Sequence, residues 1–254
     1  MARQQSVSVF EKYAHEYDLI TNAAQREKYH QEEVDAIIAR YSPTHVLDAG
    51  CATGLTTMLF GRRGVAAVGL DRSRPMLAVA RKKFAKCGLS ISFVQGSFQK
   101  LPQKLIGQFD LVACLANSIS GVQTKRDLKL ALAGFYRALR PGGTLVLQML
   151  NYFAVTEDVL VPIKATRNED IVYERFSERR GNRMSVYVTR ADFADSPPAY
   201  EVFRHDFDNY DPKVVTEAMQ EVGFGSLRRL GDLRFENRFS KKCRDLVVVA
   251  TRAA

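Results

Sequence analysis

Along the first forty residues, apolar positions recur at three- and four-residue spacing: Phe10, Tyr13, Ala14 and Tyr17, then Val34, Ile37 and Ile38. That period predicts helix. Ser42-Pro43 ends it, because proline removes a ladder donor and restricts the residue before it. The pattern then switches to short apolar runs separated by amphipathic stretches. Residues 44–49, 65–70, 91–95, 109–115 and 144–150 read as buried strands. Residues 55–62 read as helix, and Ser73 caps another with Met76, Ala80 and Phe84 on one stripe. Leu128, Ala131, Phe135 and Leu139 mark a long helix, stopped by Pro141-Gly142-Gly143. Strands alternating with helices imply an α/β fold with right-handed crossovers and a mostly parallel sheet. From about residue 151 the rhythm changes. Residues 171–177 and 184–189 read as strands with no helix between, turning at Arg180-Gly181-Asn182, and 200–207 as a third. The alternation returns with a helix carrying Val214, Ala218 and Val222 that ends at Gly223, then strands over 227–235 and 245–251.

Composition narrows this little. The 254 residues are 46% hydrophobic and 26% charged, as in ordinary globular chains. No apolar run approaches the roughly 20 residues of a membrane span, and the start lacks the apolar stretch of a secretory signal. Cys51, Cys87, Cys114 and Cys243 have no metal-ligand spacing, so reduced thiols in a cytoplasmic, metal-free protein are expected. The net charge of +9 admits nucleic acid or an anionic membrane as partner. Yet Lys and Arg are spread along the chain with no block of five or six, which favours a solvated basic surface.

The chemistry concentrates in Val46-Leu47-Asp48-Ala49-Gly50-Cys51-Ala52-Thr53-Gly54, on a strand-to-helix turn. Gly50 and Gly54 permit close backbone approach to a ligand. Asp71 ends the next strand, at a chain distance suited to gripping ribose hydroxyls. The spacing is DxGxxxG, not GxGxxG. A carboxylate at Asp48 would repel a pyrophosphate and suits a ligand carrying ammonium and sulfonium charge. That favours S-adenosylmethionine over a nicotinamide dinucleotide.

At these residues the chain resembles the class I S-adenosylmethionine-dependent methyltransferases. VLDAGCATG resembles their first motif, Gly69 to Asp71 the second-strand acid, and FVQGSFQKLP the adenine-side loop. FDLVACLANSIS resembles the fourth-strand motif and LRPGGTLVLQ the approach to the fifth, all in family order over roughly residues 13–150. LANSIS, LQMLNYF and the antiparallel insertion resemble the glycine and sarcosine N-methyltransferase-like group. The resemblance implies one Rossmann-like domain over 1–254: a mostly parallel seven-stranded sheet flanked by helices, its last strand antiparallel. A helical cap covers 1–41 and an antiparallel β insertion covers 151–208.

It also implies S-adenosylmethionine as cofactor and S-adenosylhomocysteine as product. Asp48, Ala49, Gly50 and Gly54 would form the cofactor turn, with Asp71, Arg72 and Leu115 beside it. Met76 and Phe98 would sandwich the adenine. Two positions depart from the family: Ala52 replaces a glycine, and Ser97 stands where an acid often binds the adenine amine. Tyr17 lies on a helix that in related enzymes folds over the cofactor, where a ring stabilises positive charge. Tyr29, Asn117 and Asn151 are the candidate catalytic residues. Tyr152, Arg175, Tyr187 and His205 are the candidate substrate residues, Arg175 as a fork for a carboxylate and His205 as a lone base. Asp206 cannot orient His205, since strand neighbours face opposite ways.

Transfer from a sulfonium is an in-line displacement, so alignment and desolvation dominate. No convincing base stands out, which leans toward a nitrogen acceptor: a small amine, amino acid or amino sugar. A nucleic-acid methyltransferase is the rival suggested by charge, but no Asn/Asp-Pro-Pro-Tyr follows the fourth strand. A non-catalytic cofactor-binding module is the other alternative. No nucleic-acid or membrane partner is expected. Oligomeric state stays open, with a homodimer as one candidate.

Overall fold

Apolar runs without alternation demand cover on both faces of a sheet, and the computed structural model shows that cover. It describes residues 8–122, 124–194, 196–208 and 210–254. The N-terminal helical region is broken, not continuous. Helices α1 (Val9–Lys12), α2 (Tyr17–Thr21) and α3 (Ala23–Tyr41) form a cap. Asn22, left-handed at φ 53°, breaks the chain between α2 and α3 and caps α3 through its side chain.

The alternating core follows: β1 (His45–Ala49), α4 (Leu55–Arg62), β2 (Ala66–Asp71), α5 (Arg74–Phe84) and β3 (Ile91–Gln95). Then come β4 (Phe109–Cys114), α6 (Lys125–Ala138) and β5 (Leu139–Leu150). The insertion contributes β6 (Leu160–Arg167), β7 (Ile171–Arg180), β8 (Arg183–Asp192) and β9 (Ala199–Asp208). The chain closes with α7 (Pro212–Val222), β10 (Phe224–Leu230) and β11 (Asp245–Arg252). The main sheet runs β10-β11-β5-β4-β1-β2-β3. Only β11 is reversed: it is antiparallel to both β5 and β10. The Rossmann-like, seven-stranded α/β reading holds.

Successive residues serve opposite layers. Leu47 and Val112 pack with Leu128 and Phe135 of α6, while Val46 and Leu111 pack with Val34 and Ile37 of α3 and Phe60 of α4. Three boundaries differ from the pattern reading. Leu139 is the first residue of β5, paired with Phe109, so Pro141-Gly142-Gly143 lies within that strand's span and not at a helix end. β10 starts at Phe224 and stops at Leu230, beyond which the Asp232 carboxylate accepts from the amides of Glu236 and Asn237 and turns the chain. The insertion has a fourth strand, β6, at its edge.

The cap joins the two sheets. Tyr173 and Val188 of the insertion bury against Val9 and Ile20 of the cap. Beside them Arg190, 8% exposed, meets both Glu16 oxygens at 3.1 Å and Asp192 at 3.0 Å. On the other side Asp18 accepts from Thr53 of the glycine turn at 2.7 Å and from Lys83 of α5 at 2.6 Å.

Candidate functional site

After β1 the chain must reverse into α4 within a few residues, so its backbone turns left-handed. Gly50, Ala52 and Gly54 have φ of 87°, 47° and 86°. The Gly50 and Cys51 amides both donate to the Leu70 carbonyl. The Ala52 amide donates to Asp71 Oδ2 at 2.9 Å, and the Ser73 amide to Asp71 Oδ1 at 2.9 Å. Asp71 thus fastens two turns while keeping outward lone pairs for hydroxyls. Asp48 lies under the turn, 3% exposed, and accepts from the Thr57 hydroxyl at 2.6 Å. Burial pushes its carboxyl up to about 6, against the lowering effects of Thr57 and nearby His30.

A cleft opens between this turn and the cap, with about 430 Å³ of empty space counting its open mouth. Tyr17 and Arg26 of the cap line one side; Asp48, Gly50 and Ala52 line the other, with Leu115 and Ser118 at the end of β4. Arg26 touches His30 at 3.4 Å and, among the described residues, has no carboxylate partner. An acid and an arginine in one cleft fit the ammonium and carboxylate of an amino-acid moiety. Above, the inner face of the insertion sheet carries Arg175 and His205, opposite Val188 and Val186 of β8 respectively.

A family model described as a methyltransferase domain matches residues 46–143, the stretch that builds this cleft. The match covers under half of the chain and shows a methyltransferase domain over that stretch. It is similar to a glycine/sarcosine N-methyltransferase of Halorhodospira halochloris, 33% identical over 114 residues, 45% of this chain and 42% of that one. It is also similar to a ubiquinone biosynthesis O-methyltransferase of Pseudomonas paraeruginosa, 29% identical over 106 residues, 42% of this chain and 44% of that one. The chain thus spans under half the length of these two relatives. In fold it matches the S-adenosylmethionine-bound CalS10, an amino pentose methyltransferase from Micromonospora echinaspora, with TM-score 0.72 and 22% identity, covering 92% of this chain and 97% of that one.

The fold brings only part of the sequence-derived set into the cleft. Tyr17, Asp48, Gly50 and Leu115 line it. Ala49 is fully buried in the strand beneath. Gly54 serves packing instead: a Cβ there would stand 2.8 Å from the Phe93 ring. Phe98 borders the turn, its Cζ 3.3 Å from where a Gly50 Cβ would be, and its ring lies 5.2 Å from Phe135. Met76 is buried in the first turn of α5. Ser97 Oγ accepts from the Lys100 amide at 3.1 Å, and Arg72 is exposed.

Four of the candidates do not line the cleft. Tyr29 points to solvent, 60% exposed, because the inward stripe of α3 is Arg26, His30, Val34 and Ile37. Asn117 is a brace: its amide group donates to Ser120 Oγ and the Tyr152 hydroxyl at 2.9 Å and accepts from the Leu150 amide at 2.9 Å. Asn151 donates to the Lys241 and Cys243 carbonyls at 2.9 and 2.8 Å, tying down the loop before β11. Tyr187 lies opposite Phe176 and Arg204, on the outer face, and bonds Glu178 at 3.0 Å. Tyr152 is buried beside Asn117, its ring 5.4 Å from Phe207. Asp206 bonds Ser185 and Arg204 on the outer face, so it does not orient His205. Arg26 escaped the sequence reading. The available signal was a cation on the inward i, i+4 stripe of α3.

Proposed function

We propose that this methyltransferase transfers the methyl group to the nitrogen of a small-molecule amine seated between the glycine turn and the insertion sheet. The carrying observation is Arg175: it sits on the inward face of β7, and its Nε is buried without a hydrogen-bond partner. Such a group costs free energy unless a ligand satisfies it. Two of the relatives' names point the same way, one an N-methyltransferase and one acting on an amino pentose.

When bound, S-adenosylmethionine supplies a methyl group already activated on sulfur. Asp48 would hold the cofactor's ammonium, Arg26 its carboxylate and Asp71 its ribose hydroxyls. Tyr17 shields the cleft from the cap side, and the cap excludes water. Arg175 holds an anionic group of the acceptor and so aims its amine. The amine must arrive neutral, because its lone pair attacks. His205 is suited to take its proton: burial and the Arg72 charge lower its pKa, against the raising effect of Asp206. The imidazole is therefore neutral at physiological pH.

An acceptor screen with NMR assignment of the methylated atom tests this reading. N-methyl products are expected; exclusively O-, C- or S-methylated products would contradict it. His205→Gln is expected to lower kcat by roughly 10²-fold and to remove the acid limb of the pH–rate profile. An unchanged acid limb would rule His205 out as the base.

A further inference from the structure

Three cations meet where the cap lies on β6 and β7. Lys164 and Arg175 are register partners, so their side chains leave the same face. Thr166 is paired with Tyr173 and leaves that face too. Tyr173, buried against Val9 and Ile20, fixes it as the face toward the cap. The Lys164 ammonium reaches the Gln25 carbonyl in the first turn of α3, one residue before Arg26. Arg26 is close enough to Arg175 for its charge to act on it.

This cluster lacks what the rest of the insertion has. On the same inward face, Arg190 is met by Glu16 and Asp192. Among the described residues, Arg26, Lys164 and Arg175 have no carboxylate partner at all. Two polar atoms there, Arg175 Nε and Thr166 Oγ1, are buried with no hydrogen-bond partner. Buried polar groups are ordinarily satisfied, so two orphans beside unpaired cations call for an anion.

Counting charge identifies its class. The single carboxylate of the cofactor answers Arg26. Lys164 and Arg175 then remain, with the Thr166 hydroxyl as a third donor. A carboxylate neutralises one of these charges. A phosphate monoester carries about −1.5 to −2 at neutral pH and offers three strong acceptor oxygens. We infer that Lys164, Thr166 and Arg175 form a subsite for a phosphate-type dianion carried by the acceptor, so that the acceptor is a phosphorylated amine. This rests on the reading of the insertion's inner face as the acceptor side, and it replaces the carboxylate expected at Arg175 with a doubly charged group.

Calorimetric titration at constant ionic strength tests it, using inorganic phosphate and acetate as probes on free and S-adenosylhomocysteine-loaded protein. Phosphate is expected to bind the loaded protein at least tenfold more tightly than acetate. Arg175→Gln and Lys164→Gln should each weaken phosphate at least tenfold, while Arg204→Gln, which removes an outer-face cation, should leave it unchanged. Thr166→Val gives a milder variant should either charge removal disturb folding, and is expected to weaken phosphate severalfold. Equal affinity for acetate, loss of phosphate binding on loading the homocysteine product, or indifference to the inner-face variants would each overturn the subsite. Failure of S-adenosylhomocysteine itself to bind would instead overturn the cofactor reading, and phosphate binding to the free protein would still report on the subsite.

Discussion

Asp48 holds its charge inside the protein, supported by Thr57 and the nearby His30. Its folded-state pKa, about 6, stands above the ordinary 3.8, so folding favours the protonated form. The stability this contributes is present at acid pH and is lost as pH rises through about 6. At neutral pH the ionised group then costs on the order of 2–3 kcal/mol. Asp48→Asn should therefore raise thermal stability more at pH 7 than at pH 5, while weakening S-adenosylmethionine at least tenfold. A melt at both pH values checks the first part and a titration the second; equal gains at the two pH values would count against a buried charge. Ala52 has a left-handed backbone that disfavours a Cβ, so Ala52→Gly should stabilise by about 1 kcal/mol in denaturant unfolding. Asp48 and Gly50 were legible because a tight turn under a strand end constrains residue type at fixed spacing. Tyr187 was not. Its face depends on the length of the turn after Arg180. Arg180 pairs with Arg183, leaving two residues between, and one more or fewer would have put Tyr187 inside. For Asn151, and for Asn117 apart from Ser120, the partners lie far along the chain, where spacing carries no information.

The element that decides access to the cleft is the cap, and it is fastened to both neighbouring sheets near Glu16 and Asp18. Glu16 clasps it to β8 through Arg190, and Asp18 clasps it to the glycine turn through Thr53. Burial raises the Glu16 carboxyl, but the bonds from Arg190 and Tyr173 outweigh it and leave its pKa below the ordinary 4.5. Its stabilisation is present above that value and is lost as pH falls below it. Glu16→Ala should cost roughly 3 kcal/mol by leaving Arg190 buried beside one fewer carboxylate. Hydrogen exchange should locate the loss in α1 and α2; protection unchanged there would mean that the clasp does not hold the cap. At this scale alternation revealed β7, β8 and β9, whose inward positions include Tyr173, Val186, Val188 and Phe203. It missed β6, whose inward positions are Lys164 and Thr166 and whose pairing is interrupted between Pro162 and Lys164. The missed strand and the proposed anion subsite share one cause: inward polar residues look like loop.

Over the whole molecule, the mostly parallel sheet and its two covered faces were legible from alternating strands and helices, whereas the reversed β11 came only from the family resemblance. The charge of +9 did not specify a partner, since many basic groups pair on the surface, such as Arg62 with Glu27 and Arg63 with Asp35. What the fold does specify is a cleft at the carboxyl ends of β1 and β4, roofed by the cap and lined by both Asp48 and Arg26. A cofactor bound there should stabilise the protein by about 2.7 kcal/mol at a hundred times its Kd. The most direct measurement is calorimetric titration of the protein and of Arg26→Gln with S-adenosylmethionine and S-adenosylhomocysteine. Micromolar binding of both ligands, weakened at least tenfold in a variant that melts at an unchanged temperature, is the predicted result. Absence of binding to either ligand, or equal binding by the variant, would contradict the assignment of the cleft.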